Sequence, residues 1–175
     1  MRGIFVAIPS VESLIDKLTK ALKPYFPPGL ASTDQPIIVG IETGGYWIAQ
    51  AVHQALKPDT DLGRLNITFY RDDFTKIGLH PTVKPSSLPT NIDGKTIILI
   101  DDVLYSGRTI RAAMNEIFDY GRPQRIILAI LIDRGEREIP IQANIVAETM
   151  RLEPDSHIKL DGPVPLQLTV KSNDH

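Results

Sequence analysis

Three strongly apolar runs constrain the fold of this chain more than any other feature of its sequence. They occupy residues 37–41, 97–100 and 125–132, and isoleucine, valine and leucine dominate each of them. Runs of this kind are typical of strands that are buried on both faces of a parallel sheet. Helical spacing of apolar residues separates the runs, so strands and helices alternate along the chain. The sequence therefore predicts an α/β fold, with an open, mostly parallel sheet and helices on both of its faces.

The spacing of apolar residues before and between these runs predicts the positions of the helices. Ser10 is a candidate N-cap for a first helix, which Pro24 ends. A second helix is predicted at residues 46–56, and a third runs from the turn at Gly107 to about Asp119, with Thr109 as a possible N-cap.

The remaining segments differ from these elements. Residues 65–70 alternate in polarity and predict a further, half-buried strand. Residues 71–95 contain several glycines and prolines and little periodic apolar pattern, which predicts a mobile loop. The tail from Ala143 is predicted to add short strands.

Length and composition limit what this chain can be. Its 175 residues fit a single domain, residues 1–175. With 19 basic and 21 acidic residues the formal net charge is −2, so no global charge attracts the chain to nucleic acid or to an anionic membrane. The absence of cysteine excludes disulfides and thiolate zinc sites and fits a reducing cytoplasm. The opening apolar run is too short to span a bilayer, so no membrane partner is expected.

Two adjacent carboxylates follow the run at residues 97–100. Asp101 and Asp102 come at the strand's carboxyl end, where open α/β sheets bind ligands. Ser106 and Gly107 then provide a hydroxyl and a flexible backbone just before a helix, whose free N–H groups and positive end favour a phosphate. The carboxylates can accept hydrogen bonds from a ribose diol. The segment therefore predicts a sugar-phosphate site.

Several ordered blocks of the sequence resemble a known family. The segment 97–109 resembles the phosphoribosyl-pyrophosphate (PRPP) motif of type I phosphoribosyltransferases. The sequence of this segment is similar to that of the pyrimidine operon regulators, PyrR, which are also uracil phosphoribosyltransferases. The resemblance implies the type I phosphoribosyltransferase fold, with a flexible loop and a small C-terminal hood. The further blocks that carry it are residues 69–73 with Lys76, 119–123, 131–135, and 137–141.

This resemblance implies roles for individual residues. Asp101 and Asp102 would bind the ribose hydroxyls of PRPP, and the segment after them would hold its 5′-phosphate. A loop at the end of an earlier strand would bind pyrophosphate, and Arg71 and Lys76 on the mobile loop would act in catalysis together with Asp102. The residues implied for the 5′-phosphate are Tyr105, Ser106, Gly107, Arg108 and Thr109, and those for pyrophosphate are Thr43, Gly44 and Gly45; Val103 and Leu104 are implied to line the PRPP site.

The resemblance also implies a metal and two more cations. Mg²⁺ would be bound mainly through PRPP oxygens and water, with Asp133 as its protein contact. Arg134 and Arg137 would neutralise phosphate. One residue departs from the family pattern: Glu42 stands before the pyrophosphate loop, where lysine or histidine is common, and an anion site gains nothing from a carboxylate.

The implied activity is the synthesis of UMP and pyrophosphate from uracil and PRPP. One alternative is an RNA-binding attenuator that senses UMP with little catalysis, and another is a phosphoribosyltransferase for a different base. Pyrimidine leader RNA is therefore a possible partner, but Glu136, Gln142 and Glu148 replace residues that are commonly cationic in the family, and phosphate neutralisation dominates RNA affinity. The resemblance also implies a homodimer or a larger homo-oligomer.

Overall fold

A sheet of five parallel strands forms the centre of the computed structural model, which describes residues 7–67, 85–89 and 91–172. Its spatial order is β2-β1-β3-β4-β5, and all four pairings between neighbours are parallel, which confirms the predicted sheet. The strands are β1 (Ile37–Ile41), β2 (Gly63–Leu65), β3 (Thr96–Leu104), β4 (Arg125–Asp133) and β5 (Ile145–Thr149).

In the part of the chain that the structure describes, three α-helices pack against the two faces of this sheet. They are α1 (Val11–Leu22), α2 (Gly44–Leu56) and α3 (Arg108–Tyr120). The predicted cap of α1 is present, because the Ser10 hydroxyl accepts a hydrogen bond from the Ser13 N–H at 3.2 Å. None of the helices within the described residues is long and apolar enough to span a bilayer.

Alternation along the strands divides the core into two layers. On β3, the side chains of Ile98 and Ile100 join a cluster with α1 and α2, whereas Ile97 and Leu99 join a second cluster with α3. This is the two-residue period of a strand, in which successive side chains point to opposite faces. The unbroken apolar run at 97–100 therefore has its physical reason in a helical layer on each face of the sheet.

The order of the strands creates a crevice between β1 and β3. The chain moves from β1 outward to β2, then returns past β1 to form β3 and continues in the other direction. In open α/β sheets such a reversal of direction leaves a gap at the carboxyl ends of the two central strands, where ligands bind. The loop after β1 and the turn after β3 both lie at this gap.

A hairpin follows the sheet and covers part of one face. It consists of β6 (Ser156–Asp161) and β7 (Gln167–Ser172), which pair in antiparallel fashion. Its residues Ile158, Leu160 and Leu168 are buried in the cluster that contains α1 and α2. The short strands predicted for the tail are thus present. β5 completes the five-stranded sheet, and the hairpin packs on that sheet as a separate two-stranded sheet.

Two predicted boundaries are wrong. The strand predicted at 97–100 continues to Leu104, because its second half pairs with β4 in the register Asp101↔Ile130 and Leu104↔Asp133. The strand predicted at 65–70 is shifted, since β2 ends at Leu65. Residues 68–70 lie outside the described residues.

The second part of the predicted mobile loop is packed against the body. Ser87 forms an antiparallel bridge with Arg64, and Ile92 is 1% exposed. The Tyr120 hydroxyl also donates a hydrogen bond to the carbonyl of Ser86 at 3.1 Å. Residues 86, 87 and 92 of the predicted loop thus contact the rest of the domain, and the segment 71–84 lies outside the described residues.

The packing of α1 generates a stability prediction. Leu18 has no exposed surface, so Leu18→Ala removes buried methyl groups and leaves a cavity, and we expect a loss of about 2–5 kcal/mol in the free energy of unfolding. The matched control is Val164→Ala, because Val164 is 90% exposed, and its cost should stay within about 0.5 kcal/mol. Urea unfolding of both variants measures the difference. Equal costs would contradict the assignment of this face of α1 to the core.

Candidate active site

The acid pair lies within β3, not beyond it. Asp101 is 2% exposed and Asp102 is half-buried. The carboxylate of Asp101 accepts a hydrogen bond from the Asp102 N–H at 2.9 Å, and that of Asp102 accepts one from the Val103 N–H at 2.9 Å. Because the strand pairs with β4 at this point, the backbone beneath both carboxylates is fixed.

The glycine loop after β1 lies directly against this acid pair. A Cβ atom at Gly44 would collide with the Asp102 carboxylate, and one at Gly45 would stand 2.8 Å from a carboxylate oxygen of Asp101. Real Cβ contacts are essentially never so close, so only glycine permits this approach. The structure therefore brings together Thr43, Gly44 and Gly45 with the acid pair, as the arrangement of strand ends predicts.

This glycine loop is also the beginning of α2. Thr43 occupies the N-cap position but makes no hydrogen bond to the helix through its side chain, and its carbonyl accepts from the Trp47 N–H at 3.3 Å. The peptide bond between Glu42 and Thr43 is cis. The first N–H groups of a helix have no intrahelical acceptor, and they and the helix dipole favour an anion.

The turn after β3 opens the third helix at the same sheet edge. Gly107 is the N-cap of α3 with a φ of 92°, a conformation that favours glycine, so the prediction of Thr109 as the cap is wrong. Ser106 accepts a hydrogen bond through its hydroxyl from the Arg108 N–H at 3.2 Å. A Cβ at Gly107 would also lie 3.0 Å from Ile139, so this residue allows the later segment to pack closely.

Asp133 and Arg137 form an internal pair beside that turn. Asp133 pairs in register with Leu104, and its two oxygens accept from Arg137 Nη2 at 2.7 Å and from the Gly135 N–H at 2.8 Å. Burial acts to raise the pKa of Asp133, but the hydrogen bonds from Arg137 and Gly135 outweigh it and hold the pKa below its ordinary value. The carboxylate is therefore ionised at neutral pH.

Arg137 also joins the later segment to the turn after β3. Its Nη1 donates to the carbonyls of Tyr105 at 3.0 Å and Gly135 at 2.9 Å, and its Nε donates to Ile141 at 2.8 Å. Together with the bond to Asp133, these contacts give all three guanidinium nitrogens of Arg137 an acceptor within the protein. The rigid fork of guanidinium suits this bracing role, which lysine could not reproduce.

Arg134 likewise has protein partners. Its guanidinium lies 4.2 Å from the centroid of the Tyr105 ring, and its Nη2 donates to the carbonyl of Ser156 on β6 at 3.1 Å. The carboxylate of Glu136 is 3.7 Å away. Cation–π contact is strongest when the cation is desolvated, and Arg134 is only 9% exposed. The residue thus connects the hairpin to the turn after β3.

These bracing contacts are what the sequence did not predict. Nothing in the local pattern around Arg134 or Arg137 distinguishes an arginine that binds phosphate from one that binds backbone carbonyls, because both uses require the same fork of donors. Arg71 and Lys76, the two cations predicted on the mobile loop, lie outside the described residues. In the described ranges, no three His, Asp or Glu side chains form a group that could hold a metal ion.

Comparison with known proteins identifies the family. A family model described as phosphoribosyl transferase domain matches residues 5–157. The bifunctional protein PyrR of Pseudomonas fluorescens is 47% identical over 166 residues, which cover 95% of this chain and 98% of the relative. The chain belongs to the PyrR family of phosphoribosyltransferases. The PyrR-family relative from Pseudomonas aeruginosa is 46% identical, again with 95% of this chain and 96% of the relative covered.

Solved structures share the fold of this PyrR-family chain. A hypoxanthine-guanine phosphoribosyltransferase from Bacillus anthracis matches with a TM-score of 0.61 and 20% identity, covering 85% of this chain and 82% of its own. A hypoxanthine phosphoribosyltransferase from Staphylococcus aureus matches with a TM-score of 0.61 and 16% identity, covering 83% and 76%. The predicted type I phosphoribosyltransferase fold is confirmed, and the chain is a phosphoribosyltransferase.

The Asp133–Arg137 pair generates a prediction about pH. Because the pKa of Asp133 is lower in the folded protein, its stabilising effect is present at neutral pH and is lost as the pH falls through that lowered value, below about pH 4. We expect Asp133→Asn to be less stable than the unsubstituted protein at pH 7, with the difference shrinking on acidification. Urea unfolding between pH 7 and about pH 3 measures it.

The control for this pH series is Asp155→Asn, which makes the same chemical change in an exposed turn. We expect it to leave the free energy of unfolding nearly unchanged across the series. A difference for Asp133→Asn that grows as the pH falls would contradict the inferred direction of the pKa shift.

Proposed function

We propose that this chain is a uracil phosphoribosyltransferase, which makes UMP and pyrophosphate from uracil and PRPP. The observation that carries the PRPP site is the contact of the glycine loop with the acid pair, in which Gly44 leaves room for the Asp102 carboxylate and no more. A diol-binding carboxylate and an anion-binding helix start are thereby adjacent. PRPP carries the matching groups on neighbouring carbons of one ribose, a pair of hydroxyls and a pyrophosphate. The choice of uracil rests on the resemblance to PyrR proteins.

Each segment of the site has one task in this proposal. Asp101 and Asp102 accept hydrogen bonds from the ribose hydroxyls, and the backbone N–H groups and hydroxyls of residues 105–109 bind the 5′-phosphate. Thr43, Gly44 and Gly45 bind the pyrophosphate through the start of α2. Arg71 and Lys76, whose role the family resemblance implies, supply positive charge to the departing pyrophosphate.

Substitution at the anomeric carbon completes the reaction. N1 of uracil forms a bond to that carbon while the bond to the pyrophosphate oxygen breaks, and the N1 proton is lost. Positioning of the two reactants and stabilisation of the leaving charge account for the acceleration. Exclusion of water protects the electron-poor ribose centre from hydrolysis.

Magnesium fits this site as a companion of PRPP. Mg²⁺ keeps much of its hydration and is often bound by one or two carboxylates together with substrate phosphates. We take Asp133 as the protein contact, because each of its oxygens accepts one hydrogen bond within the protein and keeps a second acceptor site for metal-bound water. The metal would neutralise charge on the pyrophosphate as that group leaves.

The setting of the activity is also part of the proposal. We place the enzyme in the cytoplasm, where PRPP and uracil are available, and expect a homodimer or a larger homo-oligomer. Size-exclusion chromatography with light scattering measures the assembly.

Base specificity is the decisive test. The purified protein is incubated with Mg²⁺, PRPP and, in turn, uracil, hypoxanthine, guanine, adenine and orotate. We expect UMP from uracil and far less product from the other bases. A larger yield from another base would overturn the choice of uracil, and no product from any base would overturn the enzymatic proposal.

Asp102→Asn tests the acid pair. The amide keeps the size of the side chain but removes a charged acceptor for the ribose hydroxyls, so we expect kcat/KM to fall about ten- to hundredfold with an unchanged melting temperature. Asp155→Asn, the same change on an exposed turn, is the control. Full activity in Asp102→Asn would remove this residue from the site.

RNA binding is the second candidate function, and the charges on α1 bear on it. Lys17 pairs with Glu148 at 3.0 Å, and Lys20 pairs with Asp16 at 2.7 Å, so the two cations that α1 offers are each neutralised locally. Since RNA affinity depends on phosphate neutralisation, we propose that this surface contributes little to binding.

A gel-shift assay with pyrimidine leader RNA tests this proposal. At about 0.15 M ionic strength we expect no shift that UMP enhances. Glu148→Lys, which releases Lys17 and reverses one charge, should raise the affinity for RNA at low salt. A salt-dependent shift that UMP enhances in the unsubstituted protein would establish the attenuator role instead.

A further inference from the structure

Glu42 presents an electrostatic problem for the proposed pyrophosphate site. It is the residue immediately before Thr43, and its N–H donates to the carbonyl of Leu65 on β2 at 2.8 Å. This bond extends the pairing of β1 with β2 by one residue and fixes the backbone of Glu42. A carboxylate at this position repels the anion that the next three residues are proposed to bind.

Arg64 on the neighbouring strand faces this carboxylate. Its Nε lies 3.5 Å from Oε1 of Glu42, and the two side chains are 25% and 15% exposed. The Nε atom is buried without a hydrogen bond, so the interaction is one of charge and not of directed bonding. Partial burial weakens screening by water and salt, which makes this pair stronger than a fully exposed one.

The position of Arg64 is itself fixed by its surroundings. Its N–H donates to the carbonyl of Ser87 and its carbonyl accepts from the Ser87 N–H, both at 2.8 Å. Its guanidinium lies 5.6 Å from the ring centroid of Tyr46, which is in the first turn of α2. The charge is therefore held between β2 and the start of the helix that opens the proposed pyrophosphate site.

We propose that Arg64 is a positioning residue that compensates the charge of Glu42 and thereby allows the Thr43–Gly45 loop to accept the pyrophosphate of PRPP. This inference rests on the proposed function. Glu42 contributes one negative charge and Arg64 one positive charge, so this pair carries no net charge. The cation that the loop itself lacks is supplied from the adjacent strand.

A double-mutant cycle separates compensation from other roles. The variants are Arg64→Met, Glu42→Gln and the combination of both, each made in the full chain. Calorimetry gives the dissociation constant of PRPP with Mg²⁺ in the absence of a base, and steady-state kinetics gives the KM for PRPP and for uracil. The control is Arg125→Met, because Arg125 also lies near an aromatic ring, that of Tyr25, but at the amino end of β4, away from the carboxyl ends of the strands where the site lies.

Compensation predicts a specific pattern of affinities. Arg64→Met removes the positive charge that faces Glu42, so PRPP should bind about tenfold more weakly while the KM for uracil is unchanged. Glu42→Gln removes the repelling charge and should bind PRPP at least as tightly as the unsubstituted protein. The double variant should return to within about twofold of it. Arg125→Met should bind PRPP normally.

Other patterns overturn the inference. A double variant as weak as Arg64→Met would mean that Arg64 contacts the ligand directly or only supports the fold. Normal PRPP affinity in Arg64→Met would exclude any role. If Arg64→Met does not fold, Glu42→Gln alone still decides, because weaker PRPP binding in that variant contradicts compensation. Failure of the unsubstituted protein to bind PRPP would instead refute the proposed function.

Discussion

The pairing of β1 with β3 is the constraint on which the candidate site depends. These two strands are separated by more than fifty residues in sequence, yet they are neighbours at the centre of the sheet. Their pairing sets the loop after β1 beside the acid pair, and the missing side chains of Gly44 and Gly45 let the two segments touch. Every other feature of the site is added around this contact.

The charges around the site are arranged in pairs. Asp133 is matched by Arg137, and Glu42 by Arg64, so much of the charge near the sheet edge is balanced within the protein before any ligand is considered. The uncharged donors of two helix starts, at Gly44 and Gly107, remain as the groups that can receive phosphates. The backbone carries the proposed anion binding, and the arginines hold the backbone in place.

Much of this architecture could be predicted from the sequence, because buried strands and capped helices leave local patterns. The limits of β1 and α1 follow from an apolar run and from Ser10 and Pro24. The extension of β3 to Leu104 could not be predicted, since its cause is pairing with β4. The partners of Arg64 and Arg137 could not be predicted from the sequence either, because they depend on which strands become neighbours. The acid pair could be located from the sequence because it lies in the carboxyl half of a recognisable strand.

The bridge between Arg64 and Ser87 affects how this sheet ends. β2 is an edge strand, and an edge strand exposes backbone groups that can recruit a strand from another molecule. At Arg64 the outward N–H and carbonyl are both bonded to Ser87, so this rung of the ladder is closed. With only three residues in β2, one closed rung leaves little template for an incoming strand. The same residue that faces Glu42 through its side chain thus blocks strand addition at this rung of β2 through its backbone.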